Sequence, residues 1–197
     1  MNYNPSSDQR HAKCISEKQL QLNNIMRLLW EQHVYWTRFA ISGIVFNTPD
    51  ADQSSQRLLQ NPKDFADVLA PLYGEDTAAR FAELFTSYLT IAAQLVTELK
   101  NGDRVKAAQT ERSWYQNADQ IAAFLAQINP YWSVREWQDM LYSHLRMTKN
   151  EAVALISEDY AASVALFDRI EQEALKMADA MTSGIMRQFF NDDLRWQ

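Results

Sequence analysis

The chain has 197 residues, 47% of them hydrophobic and 22% charged, enough for one large domain with a sizeable core. Four glycines and five prolines are too few for phosphate-cradling loops, tight hairpins or an all-β architecture, each of which needs frequent positive-φ positions. A formal net charge of −6, with 19 basic residues scattered along the chain, argues against a nucleic-acid partner, and no apolar run reaches the roughly 18 residues of a membrane span.

Residues 1–17 read as a polar, flexible tail: Asn4-Pro5-Ser6-Ser7-Asp8 has turn chemistry and no apolar periodicity, and no signal-peptide core is present. A single domain is expected over 18–197. Helix formers dominate from Leu20 onward, where Leu22, Ile25, Met26, Leu29, His33, Trp36, Ala40 and Ile44 recur every three or four residues until Asn47-Thr48-Pro49-Asp50. A second helix is expected over Asp52–Leu72, with a kink or restart at Asn61-Pro62 because proline lacks an amide donor. Tyr73-Gly74 closes it. A third helix should run from Asp76 or Thr77 to Lys100, a fourth from Arg104 to Gln127, a fifth from the Ser133 cap to near Ser157, and a sixth from Asp159 to about Phe189.

An internal similarity links these helices. Residues 57–103 slide by 56 positions onto 113–159 without a gap, matching Gln60 with Gln116, Asn61 with Asn117, Leu69 with Leu125, Ser87 with Ser143 and Asp103 with Asp159. A shift of 55 lays Leu29-Trp30, His33-Val34 and Trp36-Thr37 over Leu84-Phe85, Tyr88-Leu89 and Ile91-Ala92. The odd-numbered helices thus read as three versions of one helix. The expected fold is all-α: an antiparallel bundle of about six helices built from duplicated hairpins, four in the core and two flanking, a ferritin-like arrangement being one solution.

The register puts His33, Tyr88 and His144 at one place in three related helices, so all three should face the same interior. His33–Thr37 and His144–Thr148 share the i, i+4 spacing that keeps both members on one helix face. The candidate ligand cluster is therefore His33, Tyr88, His144, Thr37 and Thr148, with Asn117 as a carboxamide able to donate and accept. His33 and His144 are the candidate metal ligands, a divalent ion being the cofactor class they suit, with Asp64, Asp119 and Asp179 as acids from the even helices. The competing reading is two buried, inert histidines with Tyr88 filling the third slot. Neither histidine sits in a Glu-x-x-His motif, since Trp30 and Leu141 occupy the positions three before them. Asn61 is expected to cap the helix restarted after Pro62, and the aromatics of Asn129-Pro130-Tyr131-Trp132 to plug a bundle end. Cys14, the single cysteine, can form no internal disulfide, which suits a reducing, cytoplasmic setting.

Leu29-Trp30, His33-Val34, Trp36-Thr37-Arg38, Arg57-Leu58-Leu59 with Asn61, Tyr73-Gly74, Trp114 with Asn117-Ala118, Asn129-Pro130 and His144-Leu145 resemble a family of small uncharacterised helical bacterial proteins over about residues 20–190. Some of its members are labelled acetylglutamate kinase. Such kinases are α/β proteins with glycine-rich phosphate loops, and this helical chain has only four glycines. The resemblance implies histidine at the position of Tyr88 in many relatives, an acid at Gln32, and no activity that transfers. Two functions follow: a binding or interaction protein with an interior polar cluster, or a ferritin-like metal protein with redox or hydrolytic activity. A small molecule or a protein is the expected partner, and a homo-oligomer is compatible with either.

Overall fold

The computed structural model describes residues 16–190, all of which fall in helices or short connections. The helices are α1 (Glu17–Phe46), α2 (Ala51–Tyr73), α3 (Glu75–Lys100), α4 (Arg104–Ile128), α5 (Val134–Ile156) and α6 (Tyr160–Phe189). Their starts follow local chemistry. Ser16 and Gln19 form a reciprocal capping box that begins α1, and the side chains of Asp103, Ser133 and Asp159 accept amide hydrogens of Lys106, Glu136 and Ala162. Glu17 is already helical, and the remainder of the expected tail and Cys14 lie outside the described residues. Asn47 ends α1 in the left-handed region at φ 52°, a conformation asparagine tolerates.

Each helix packs against the next in sequence, and α6 returns against α1, closing a ring. The odd helices also touch one another, so α1, α3 and α5 form the centre while α2, α4 and α6 bridge them from outside. This is three central helices plus three outer ones, not the four-plus-two layering expected. The odd helices run parallel. Lys100 at the end of α3 donates to the Ile44 carbonyl and Asn47 Oδ1 at the end of α1, while Tyr73, Asn129 and Gln188, at the ends of the even helices, are linked by hydrogen bonds at the opposite pole.

Positions matched by the 55- and 56-residue shifts are buried in all three odd helices. From one pole inward come Met26, Phe81 and Trp137, then Trp30, Phe85 and Leu141, then His33, Tyr88 and His144. Thr37, Ala92 and Thr148 follow, and Ile41, Val96 and Ala152 lie beyond them, the last three in a separate small apolar cluster with Leu155. The aromatic layers interlock: Trp30 meets Phe65 edge-on at 5.3 Å and stacks over Trp137 at 6.5 Å.

The expected break at Pro62 does not occur. Helix α2 runs unbroken through Pro62 and Pro71. Proline removes one backbone hydrogen bond, but α2 is gripped along its length by α1 and α3, and that packing outweighs a local loss. Asn61 accordingly caps nothing. It is fully buried, and its carboxamide N–H donates to the Leu29 carbonyl of α1 at 3.0 Å.

Trp132 closes the pole where the even helices end, as expected of the connection between α4 and α5. Its indole N–H donates to the Ala180 carbonyl, and its ring lies edge-on to Trp137. Gly184 makes room for it: a Cβ there would stand 1.9 Å from Trp132 Nε1. Gly184→Ala should therefore lower stability by about 1–3 kcal/mol through displacement of Trp132. Thermal denaturation with tryptophan fluorescence checks this, and an unchanged melting temperature would show that Trp132 does not bear on α6.

Candidate functional site

The three axial residues sit on parallel helices at one level, and the turns that carry His33 and Tyr88 are pinned alike. Asn61 of α2 donates to the Leu29 carbonyl, four residues before His33, and Asn117 of α4 donates to the Leu84 carbonyl, four residues before Tyr88. Two outer helices thus hold two inner ones by the same bond at matched positions. The Asn117 N–H is committed to this structural bond.

His33 and His144 meet head to head on the axis. Their Nε2 atoms are 3.3 Å apart with ring centroids at 5.4 Å, so the two nitrogens point towards each other. Both residues are essentially inaccessible to solvent. Burial holds His144 down at about 4 and drives His33 well below the usual histidine range, with the neighbouring His144 adding to the effect on His33. Two neutral imidazoles result at neutral pH. The Tyr88 ring lies 6.4 Å from His33 and 5.3 Å from Trp114; burial above all, and Tyr115 secondarily, raises its hydroxyl far above the usual phenol range.

A cavity of about 30 Å³ adjoins these rings and extends towards the apolar pole. His33, Thr37, Tyr88, Ala92, Trp114 and His144 line it, with Thr148 and Lys149. Its cause is legible in the layer above the histidines, where Thr37 and Thr148 have Ala92 as their counterpart and two heavy atoms of side chain are missing. The lining itself is mainly apolar, but several of its residues carry buried polar atoms without protein partners: both His Nδ1 atoms, the Thr37 and Thr148 hydroxyls, the Tyr88 hydroxyl and the Trp114 indole N–H. A native interior rarely concentrates so many, because each costs about 1–3 kcal/mol when left unmade.

The lining reaches the surface at exposed Ala93 and half-buried Lys149. Lys149 Nζ donates to both carboxylate oxygens of Glu111 at 2.7 Å, so the mouth carries a closed ion pair and not a free charge. Arg38, at the position matching Lys149 on α1, turns outward to Glu151 and the Ser163 hydroxyl, with Phe167 beneath its guanidinium. Burial pushes the Glu151 carboxyl up to about 7 even against the opposing charge and hydrogen bond of Arg38. Neither ion pair was among the expected site residues. Continuing the alignment from Arg38 through Ala93 to Lys149 is the signal that could have found them.

The proposed acidic ligands are not brought to the axis. Asp64 is held by Arg57 and Gln60, Asp119 accepts from Gln138 and Tyr142, and Asp179 pairs with Arg27. Gln32 accepts from Arg57, which also stacks over Trp36. Among the described residues no group of three or more His, Cys, Asp or Glu side chains converges as a metal cluster would. No helix there is long and apolar enough to cross a membrane. No family model, curated protein or solved structure matches the chain.

The pH dependence of stability follows from these shifts. An unfolded histidine binds a proton near 6.5 and the folded His144 only near 4, so acidification through that window favours the unfolded chain. The contribution, on the order of 3 kcal/mol at full development, is present above pH 6.5 and lost towards pH 4. Glu151 acts oppositely: its folded carboxyl keeps a proton up to about 7 against 4.5 unfolded, so its contribution falls as pH rises across that range. Denaturation across pH 4–8 should show His144→Asn with a flatter acid limb, and Glu151→Gln gaining on wild type from pH 4.5 to 7. Parallel profiles for all three proteins would refute both assignments.

Proposed function

We propose that this chain is a binding protein whose working part is interior, a site on the bundle axis between His33, Tyr88 and His144 for a guest about the size of two water molecules. The observation that carries the reading is the cavity of about 30 Å³ beside the paired imidazoles, several of whose lining residues carry buried polar atoms without protein partners. A water needs roughly 10–15 Å³ by the same measure, whereas metabolite pockets run to about 300–1,000 Å³. The guest is therefore an ion, a diatomic species or a pair of waters, which narrows the small molecule expected from the sequence.

The three hairpins are read as copies of one unit, since matched positions form layers and the two asparagine bonds recur at matched places. The family resemblance belongs to the same reading, because Leu29 to Arg38 carries one third of the site. A cytoplasmic setting rests on the lone cysteine. A ferritin-like di-metal centre has less support, since Asp64, Asp119 and Asp179 are engaged elsewhere.

Ala92→Val tests the site. Valine has the shape of the threonines at the matched positions, so it fills the layer without disturbing the imidazoles. In thermal-shift measurements with first-row metal ions, halides, ammonium and nitrite, at least one guest should raise the melting temperature of wild type by several degrees and leave Ala92→Val unmoved. If no guest shifts wild type, the binding function fails and the bundle is a scaffold.

A further inference from the structure

The outward face of α1 is unlike those of the other two inner helices. Tyr35, Phe39 and Phe46 are 44%, 52% and 44% exposed, and Leu28, on the same side, is 46% exposed. The 55- and 56-residue shifts lay Glu83 and Asp139 over Leu28, and Thr90 and Arg146 over Tyr35. They lay Gln94 and Asn150 over Phe39, and Asn101 and Ser157 over Phe46. An inner helix of this ring therefore folds with a polar outer face, so the packing of the bundle does not require aromatics on α1.

These side chains form one patch with the start of α6. Ring centroids of Phe46 and Tyr160 lie 6.2 Å apart, those of Tyr35 and Phe167 5.5 Å, and those of Trp36 and Phe39 5.6 Å. Tyr160 and Val164 are themselves half exposed. At about 200 Å² for a whole aromatic side chain, Leu28, Tyr35, Phe39, Phe46, Tyr160 and Val164 together show roughly 500 Å² to solvent. That is the apolar share of a partner's face in a stable interface, about 60% of some 800 Å². The cations that frame the patch are already matched: Arg57 over Trp36 pairs with Asp64, and Arg38 over Phe167 pairs with Glu151.

The spacing along α1 points to the occupant. Leu28, Gln32, Tyr35, Phe39, Ser42 and Phe46 follow at steps of four, three, four, three and four residues, a continuous helix seam. Read backwards, the steps are the same. Two such seams laid antiparallel put Leu28 against Phe46, Gln32 against Ser42 and Tyr35 against Phe39, so apolar meets apolar and polar meets polar throughout. None of the six positions carries a charge, and two copies meet without like-charge opposition along the seam. We infer that this face is a homodimer interface, with α1 of one copy packed antiparallel on α1 of a second across a twofold axis at the level of Thr37. Such a contact is isologous and closes on itself. It is independent of the interior site.

Sedimentation velocity of the full chain from about 1 to 200 μM should show a dimer that dissociates on dilution. The double variant Tyr35→Thr with Phe39→Gln carries the residues that α3 has at the matched places, so it should keep the wild-type helical content and melting profile of the monomer. It should weaken the dimer by about a hundredfold or more, since each copy loses two central aromatics. Val105→Glu, on exposed α4 surface, should leave the association unchanged. Register is read by oxidative cross-linking in a Cys14→Ser background. Leu28→Cys mixed with Phe46→Cys should give cross-linked mixed dimers well above either variant alone. A chain that stays monomeric to 200 μM would overturn the proposal and leave the face to a different partner. A dimer that survives the double variant, or cross-links as well between identical variants as between mixed ones, would overturn it too.

Discussion

Three parallel helices can share an axis only if the side chains they place there fill each cross-section together, and every other feature of this protein follows from that constraint. The layers from Met26, Phe81 and Trp137 up to Ile41, Val96 and Ala152 meet it with different residues at matched heights. A sliding of one helix by a single residue would rotate its buried stripe by about 100° and bring polar residues to the centre. The buried carboxamides of Asn61 and Asn117 resist such sliding, because each reaches one particular carbonyl on a neighbouring helix. Apolar packing alone is tolerant of small shifts, whereas a buried amide that loses its acceptor is not.

That rigidity explains how the polar level survives in the middle of an apolar core. Paired imidazoles, a phenol and two threonine hydroxyls bring unsatisfied groups to a place where hydrophobic residues would pack more stably. Aromatic layers on one side and the small apolar cluster on the other keep the level from collapsing, since Trp30, Phe85 and Trp137 have little freedom to move into it. The cavity is accordingly a property of the layer sequence. Where α1 and α5 supply threonine, α3 supplies alanine, and neighbours already locked at their own heights cannot fill the gap.

Much of this was legible in the residues. Helix extents followed from apolar periodicity and capping chemistry, and the shared level of His33, Tyr88 and His144 followed from the 55- and 56-residue shifts. Three things were not legible, for separable reasons. The continuation of α2 through Pro62 depends on packing from α1 and α3, which no local rule contains. The ring of three inner and three outer helices depends on α6 closing against α1, a contact between chain segments more than 100 residues apart. The committed partners of Asp64, Asp119 and Asp179 depend on which face of each outer helix turns inward, and their hydrophobic pattern leaves that choice between adjacent positions.

Differences among the matched positions shape the mouth of the cavity. Arg38, Ala93 and Lys149 occupy one matched position, yet each does something different. Arg38 folds outward into a buried pair with Glu151, sealing the α1–α5–α6 side. Lys149 bridges to Glu111, where α4 and α5 approach each other least closely of the neighbours in the ring. Ala93 has only a methyl group there, and the cavity lining reaches the surface beside that pair. Two long side chains and one short one at matched places thus leave the cavity an entrance beside the Lys149–Glu111 pair. The entrance is closed by an exchangeable ion pair in place of a packed hydrophobic contact, and such a pair can part and re-form without unfolding any helix. Parting of that pair would spare the aromatic layers on which the register depends.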